Sequence, residues 1–370
     1  MPRSSAPLPP ALMTAPFLMA DAQRHGVSRF RLRAGDIVRL GAGLYAHEST
    51  AVTEAGMVAA LSRKHPGSVA SGVTAARLLK VPLPGLLGDW MPGDRIHLAC
   101  QPNASKSSTS VRWERTLVAQ RDAVCLQLSS VLPVAVRPSD RWRFEVTAMA
   151  RPRLWVSLCR MLPLDWRIAV ADHLLREPRP WAGDAQWQPH ATAETLTALL
   201  DRLAGYRGAG RARAAAADAR VGSDSPQETR LRLALQWAGL PSPELNPRLR
   251  ISADGSWIEP DLFYPDFGVI VEYDGRPHFE GDAPSRGQDR SLRLRRSGYC
   301  DVHIFRSDLA MTRVGMPDAE VRARLAASRA VVVVAKELLH RGWRPTRAVQ
   351  ARLLRTAPGM LQGLERSNRT

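Results

Sequence analysis

Four cysteines are spread over 370 residues, at Cys100, Cys125, Cys159 and Cys300, with no Cys-x-x-Cys pair and no paired histidines beside them. That spacing argues against a structural zinc site and against a disulfide framework, and suits small core residues in a reducing cytoplasm. Lysine is almost as scarce, confined to Lys64, Lys80, Lys106 and Lys336. No apolar run approaches the ~18 residues that a membrane span requires; Ala330 to Ala335 is the longest candidate and reads as a short buried element. Pro2, Pro7, Pro9, Pro10 and Pro16 interrupt the N-terminal stretch, so residues 1–14 are expected to form a disordered leader rather than a signal sequence. No internal repeat is visible.

Arginine is what the chain has in excess. The net charge is +17 and the isoelectric point near 11, a balance that favours a polyanionic partner, because neutralising phosphates releases counterions. DNA is the expected partner and a membrane is not. Genomic composition is the competing source of the arginine. The excess is uneven: residues 223–315 hold slightly more acid than base, whereas residues 1–222 and 316–370 carry the basic surplus.

The acidic module contains the segment that carries chemistry. Pro260-Asp261-Leu262 and Val269-Ile270-Val271-Glu272-Tyr273-Asp274-Gly275 set carboxylates into two apolar, β-branched runs, where an ionised acid is costly without a cation or donor. Asp261 is expected to open a strand after Trp257-Ile258, with Asp266-Phe267-Gly268 as the turn. Alternation along a strand then puts Glu272 and Asp274 on one face and Tyr273 on the other. Carboxylates converging from paired strands suit a hard divalent cation such as Mg²⁺ or Mn²⁺.

These residues resemble a known family. Glu228 on a helix opened by Ser225-Pro226-Gln227, then Asp261, Glu272, Asp274-Gly275, His278 and Asp289-Arg290, are similar to the very-short-patch-repair-like (Vsr-like) branch of the PD-(D/E)xK restriction-endonuclease superfamily, over about Ser223 to Leu309. The resemblance implies a Mg²⁺-dependent DNA endonuclease, a phosphodiester hydrolase of defence or repair. In that reading Asp261 and Glu272 hold the metal, Asp274 shares it or orients water, and His278 protonates the leaving oxygen or steadies the phosphate. Glu228 reaches the metal water or caps the site, although a helix-start charge would explain it equally. Arg276 and Arg290 contact phosphate. The common superfamily pattern has Lys where this chain has Asp274.

Upstream, Ala15 to His25 reads as a short helix ended by Gly26, Ser28 can cap a second helix bearing Arg29, Arg31 and Arg33, and Ile37–Leu40 with Leu44–Ala46 form a hairpin about Gly41-Ala42-Gly43. That order makes a winged helix-turn-helix, whose basic helix either enters DNA or is a solvated face. With Val69 to Leu79 and Val81-Pro82-Leu83-Pro84, it resembles the N-terminal region of AbiEi-type antitoxins. The expected architecture is thus an α/β multidomain chain: winged helix-turn-helix over 15–50, an AbiEi-like α+β middle region over 51–176, a linker and basic helix over 177–222, a restriction-endonuclease-like α/β core over 223–315, and a basic helical tail over 316–370. A helix is expected from Leu154 to Leu175, with Asp172-His173 as a surface pair. The arginines of Gly205 to Arg220 either track phosphate or line a solvated face. The competing function is a non-catalytic transcriptional regulator, or an AbiEi-type antitoxin with a degenerate nuclease fold and a toxin or other protein partner.

Overall fold

The structure is a computed structural model and describes residues 6–100, 109–129, 143–184, 186–251, 255–275 and 283–356. It has mixed α/β content, divides into two compact units, Met1–Leu158 and Cys159–Thr370, and no described helix is long and apolar enough to cross a membrane.

In the first unit, β1 (Phe17–Leu18), β3 (Leu44–His47) and β2 (Ile37–Gly41) form an antiparallel sheet in the order β1-β3-β2. Gly41-Ala42-Gly43 turns the β2–β3 hairpin with all three residues at positive φ, and α1 (Met19–Arg24) packs its buried Ala22 into the small core with Phe17, Leu32 and Tyr45. The expected second helix is reduced to a single 3-10 turn, Arg31–Arg33. Leu32 is its only buried side chain, so there is no apolar stripe to pull a longer helix onto the core, and a lone turn does not propagate unaided. Ser28 still accepts from the Arg31 N–H, at 3.2 Å.

Beyond it, α2 (Glu54–Lys64) and α3 (Gly72–Leu78) join a five-stranded mixed sheet ordered β6-β5-β4-β8-β7: β4 (Val69–Ala70), β5 (Ile96–Cys100), β6 (Val111–Arg115), β7 (Ala123–Ser129) and β8 (Arg143–Met149). A buried fork from Arg77 to Glu54, at 2.8 and 2.7 Å, clamps the two helices together. The expected helix from Leu154 to Leu175 is two helices, α4 (Arg151–Leu158) and α5 (Leu164–Leu175). Pro163 stands just before α5 in extended conformation, where its fixed φ and missing N–H start a helix and cannot continue one. The two units divide inside this stretch.

The second unit is built on α5 and α8 (Pro226–Ala238). Asp165 and Asp172 lie two turns apart on one face of α5 and are both fully buried. Asp165 accepts from Arg230 at 2.8 Å and Thr312 at 2.7 Å. Asp172 accepts from Arg232 at 2.9 Å, Thr229 at 2.8 Å and the Arg220 N–H at 2.7 Å. Asp172 is therefore a core hub and not half of a surface pair. Burial pushes its carboxyl up, and Arg232 with the other donors holds it back. These pairs fix the register of α8 against α5, and Gly239 ends α8 in left-handed conformation at φ 94°.

Between α5 and α8, residues 177–222 contain α6 (Ala193–Arg202) and α7 (Ala209–Asp218). Ala209, Ala212 and Ala215 bury one face of α7. Arg211 donates to the Arg160 carbonyl at 2.7 Å and Arg213 to Asp201 at 3.0 Å, so both arginines have partners within the protein.

The central sheet of the second unit is ordered β14-β13-β12-β9, with β9 (Glu244–Leu245), β12 (Leu262–Tyr264), β13 (Val269–Asp274) and β14 (Cys300–Phe305). The β12–β13 hairpin is antiparallel, and its turn is Pro265–Phe267 followed by Gly268 at φ 61°. β14 returns parallel to β13 through α9 (Ala283–Arg296), pairing Glu272 with His303 and Asp274 with Phe305. Parallel pairing requires such a crossover. β10 (Leu249–Arg250) and β11 (Trp257–Ile258) form a separate two-stranded ladder. The strand expected to open at Asp261, after Trp257-Ile258, begins one residue later, at Leu262, and Pro260 has no N–H to extend the ladder backwards. Further on, α10 (Asp318–Ala326), α11 (Arg329–His340) and α12 (Arg347–Thr356) follow. Val331, Val332 and Val334 are buried along α11 despite their branched side chains, which shows packing overriding helix propensity.

Candidate functional site

Four of the sequence-predicted acids, Glu228, Asp261, Glu272 and Asp274, lie near enough for the other three charges to act on Asp261. Glu228 sits in the first turn of α8, whose cap Ser225 accepts from the Glu228 N–H at 3.2 Å. Its carboxylate is buried and accepts from the Asp224 N–H at 2.8 Å and the Asn246 side chain at 2.9 Å. Asn246, at φ 46°, also donates to the Gly222 carbonyl at 2.7 Å, and its own N–H donates to the Asp261 carbonyl at 3.0 Å. The helix start is thereby tied to the start of β12.

Asp261 lies one residue outside β12 and accepts from the Tyr273 N–H at 2.6 Å, across the hairpin. Burial, and after it the neighbouring carboxylates of Glu228, Glu272 and Asp274, raise its carboxyl to about 7. Glu272 and Asp274 occupy one face of β13, as strand alternation requires. Burial raises Glu272, opposed chiefly by the Arg290 guanidinium that bonds it from α9. Glu228 is raised by burial as well, with Asn246 and Ser225 opposing. Three carboxyls held above their ordinary range by burial, with repulsion added at Asp261, make a locus that positive charge would stabilise.

Two further residues complete the face. His303 and Asp301 alternate along β14 beside β13, and His303 bridges Asp274, at 2.7 Å from Nδ1, and Asp301, at 3.3 Å from Nε2. Burial works against the imidazolium, but Asp274 and Asp301 outweigh it and raise His303 above its ordinary value. Burial also opposes the Asp301 carboxylate, and Ser291 and His303 hold it below the ordinary range. Neither residue stands out in the sequence. The signal that could find them is the Asp301-x-His303 alternation, which only the parallel register with β13 turns into a site.

Of the remaining expected site residues, His278 and Arg276 lie outside the described residues. Arg290 is near the acids, but it bonds Glu272 directly. In the first unit, Arg31 is engaged within the protein: its guanidinium forks onto Asp36 at 2.7 and 2.6 Å and donates to the Ala6 carbonyl at 2.7 Å. Arg29 and Arg33 are exposed on and beside the same 3-10 turn.

Among the described residues no group of three or more His, Cys, Asp or Glu side chains is placed to hold a metal ion. Magnesium does not need one, since it keeps several waters and is commonly bound through one or two carboxylates. Asp261, just before β12, and Glu272, on the paired β13, are oxygen donors with raised carboxyls, and that donor chemistry fits a hard divalent cation. Compared with known proteins, the chain matches no family model and no curated protein.

Proposed function

We propose that the second unit is a divalent-metal-dependent phosphodiesterase acting on DNA. The observation that carries this reading is the placement of the half-buried Asp261 beside Glu228, Glu272 and Asp274, whose charges add to burial in raising its carboxyl. Carboxyls lifted chiefly by burial, with like charge added at Asp261, serve no packing purpose, and a bound cation relieves both. Asp261 and Glu272 would supply protein oxygens to Mg²⁺ or Mn²⁺, which when bound polarises a phosphate and acidifies a water. Asp274, oriented by His303, holds a proton-accepting oxygen at the same face. Glu228, through Asn246, fixes where Asp261 stands.

The order α8, β12, β13, α9, β14, with Glu228 on α8, Asp261 just before β12, Glu272 and Asp274 on β13, and a parallel return, supports the restriction-endonuclease-like resemblance for this unit. The +17 charge supports DNA as substrate. The β1-β3-β2 sheet with α1 supports a winged-helix-like DNA-binding role for the first unit, carried by Arg29 and Arg33 rather than Arg31.

Two observations favour the non-catalytic alternative. Arg290 already neutralises Glu272, and Asp274 replaces the motif lysine, so the fold could bind DNA without cleaving it. Cleavage assays on supercoiled, linear and single-stranded DNA separate the two. The hydrolase reading expects divalent-dependent cleavage that falls by at least ~10²–10³ in Asp261→Ala and in Glu272→Ala, with the fold intact. Equal cleavage by wild type and both variants would remove the site assignment, and no cleavage by wild type with Mg²⁺ or Mn²⁺ would favour the regulator.

A further inference from the structure

Close to the acids in sequence, the second unit carries an aromatic and basic patch that packing does not account for. Trp181 is 63% exposed and Trp257 is 55% exposed. A single exposed tryptophan is ordinary. These two share one cation: the Arg248 guanidinium lies 4.6 Å from the ring centroid of Trp257 and 5.9 Å from that of Trp181. The Trp181 ring is also pinned, because its Nε1–H donates to Glu259 at 2.7 Å, and the other Glu259 oxygen accepts from Arg179 at 2.9 Å. The indoles are therefore held in place while remaining in water. Among the described residues Arg248 pairs with no carboxylate.

The patch is joined to the acids. Arg179 also bonds Asp224, whose N–H donates to Glu228. Trp257 is four residues before Asp261, a stretch of chain that spans at most about 14 Å. A ligand lying on the indoles would extend to the carboxylates within a few repeating units.

We infer that Trp181, Arg248 and Trp257 form a stacking platform for unpaired nucleobases of a DNA strand whose backbone continues to the carboxylate cluster. The inference deepens the phosphodiesterase reading and rests on it for the identity of the strand. Exposed indole faces stack on any base, and a guanidinium beside them adds cation–π contact and a phosphate partner. Within a duplex the base faces are covered by their neighbours, so the platform selects single-stranded, frayed or flipped-out nucleotides. Protein partners also use Trp and Arg; the +17 charge favours the polyanion.

The test is fluorescence anisotropy of the full chain with labelled oligo-dT and with a labelled hairpin duplex, both in EDTA so that cleavage does not enter. Combined Trp181→Ala and Trp257→Ala should weaken oligo-dT binding by at least about 5- to 150-fold, the loss expected for a single base stack, with duplex affinity nearly unchanged. Arg248→Ala should weaken both and flatten the single-strand salt dependence by about 0.7 in log–log slope. Trp181→Phe with Trp257→Phe keeps aromatic faces and should retain most oligo-dT affinity, which guards against a folding defect in the alanine protein. Unaltered oligo-dT affinity in the double alanine variant, equal losses on duplex and single strand, or equal losses in the Phe and Ala variants would each overturn the platform. Because no cleavage is read, the result stands apart from whether the acids hydrolyse DNA.

Discussion

If the carboxylates are arranged for a cation rather than for stability, removing one charge should make the metal-free protein more stable, and Asp261→Asn is the sharpest case. The Asp261 carboxyl is raised from 3.8 to about 7, first by burial and then by Glu228, Glu272 and Asp274. A carboxyl raised on folding contributes stability that is fully present below its unfolded value and is lost as pH rises through its folded value. The window here runs from about pH 4 to just above pH 7. At about 1.4 kcal/mol per pH unit, roughly three units amount to about 4 kcal/mol. Asparagine keeps an oxygen for the Tyr273 N–H, which Asp261 accepts at 2.6 Å, and never ionises. In EDTA near pH 8 the variant should therefore exceed wild type by about 4 kcal/mol. For a unit of this size that raises Tm by on the order of 10 °C. The advantage should shrink steadily and vanish near pH 4. Added Mg²⁺ should act the other way, stabilising wild type by about 2.7 kcal/mol at a hundredfold excess over Kd and leaving the variant unmoved. Thermal and urea unfolding across this pH range, with and without Mg²⁺, read all of it. A stability difference independent of pH, or an equal response of both proteins to Mg²⁺, would refute the reasoning.

Three other outcomes follow from named interactions. Asp172→Ala strands the buried Arg232 guanidinium and should cost about 3–5 kcal/mol in urea unfolding; a loss below about 1 kcal/mol would mean that Asp172 does not hold α5 to α8. Arg31→Ala should destabilise the first unit by roughly 1–3 kcal/mol by removing the fork to Asp36, whereas Arg29→Ala with Arg33→Ala should leave stability alone and flatten the duplex salt slope by up to about 0.9 for each phosphate no longer neutralised; the reverse pattern would put Arg31 on DNA. Asp274→Asn should weaken metal-dependent activity by roughly 10- to 100-fold, as loss of a supporting ligand does, and should lower the His303 imidazole pKa seen by NMR, since Asp274 helps to raise it; unchanged activity and an unchanged His303 titration would leave Asp274 a turn residue.

The parts of this fold that can be read from the sequence are those with local causes. Ser225-Pro226 and Gly239 bound α8 because a hydroxyl cap, a proline and a left-handed glycine act within one turn of chain. Gly268 and the Gly41-Ala42-Gly43 turn mark their hairpins for the same reason. Glu272 and Asp274 fall on one face by alternation alone. What stays hidden depends on residues far apart in sequence. Nothing local states that β14 returns parallel to β13, so His303 looks like an ordinary strand residue until that register sets it beside Glu272 and Asp274. Asp172 looks like a surface acid because its partners, Arg220, Thr229 and Arg232, lie some fifty residues away. Arg31 looks like a DNA-binding side chain, but Asp36 claims it, and periodicity carries no information about which charge a guanidinium meets.

The most direct test of the central claim, that Asp261 and Glu272 form a divalent-cation site, is Mn²⁺ binding followed by EPR as loss of the free-ion signal on titration with protein. Wild type should sequester one Mn²⁺ per chain, Mg²⁺ should compete for it, and combined Asp261→Asn and Glu272→Gln should abolish it while preserving the fold. Equal sequestration by the double variant would contradict the account.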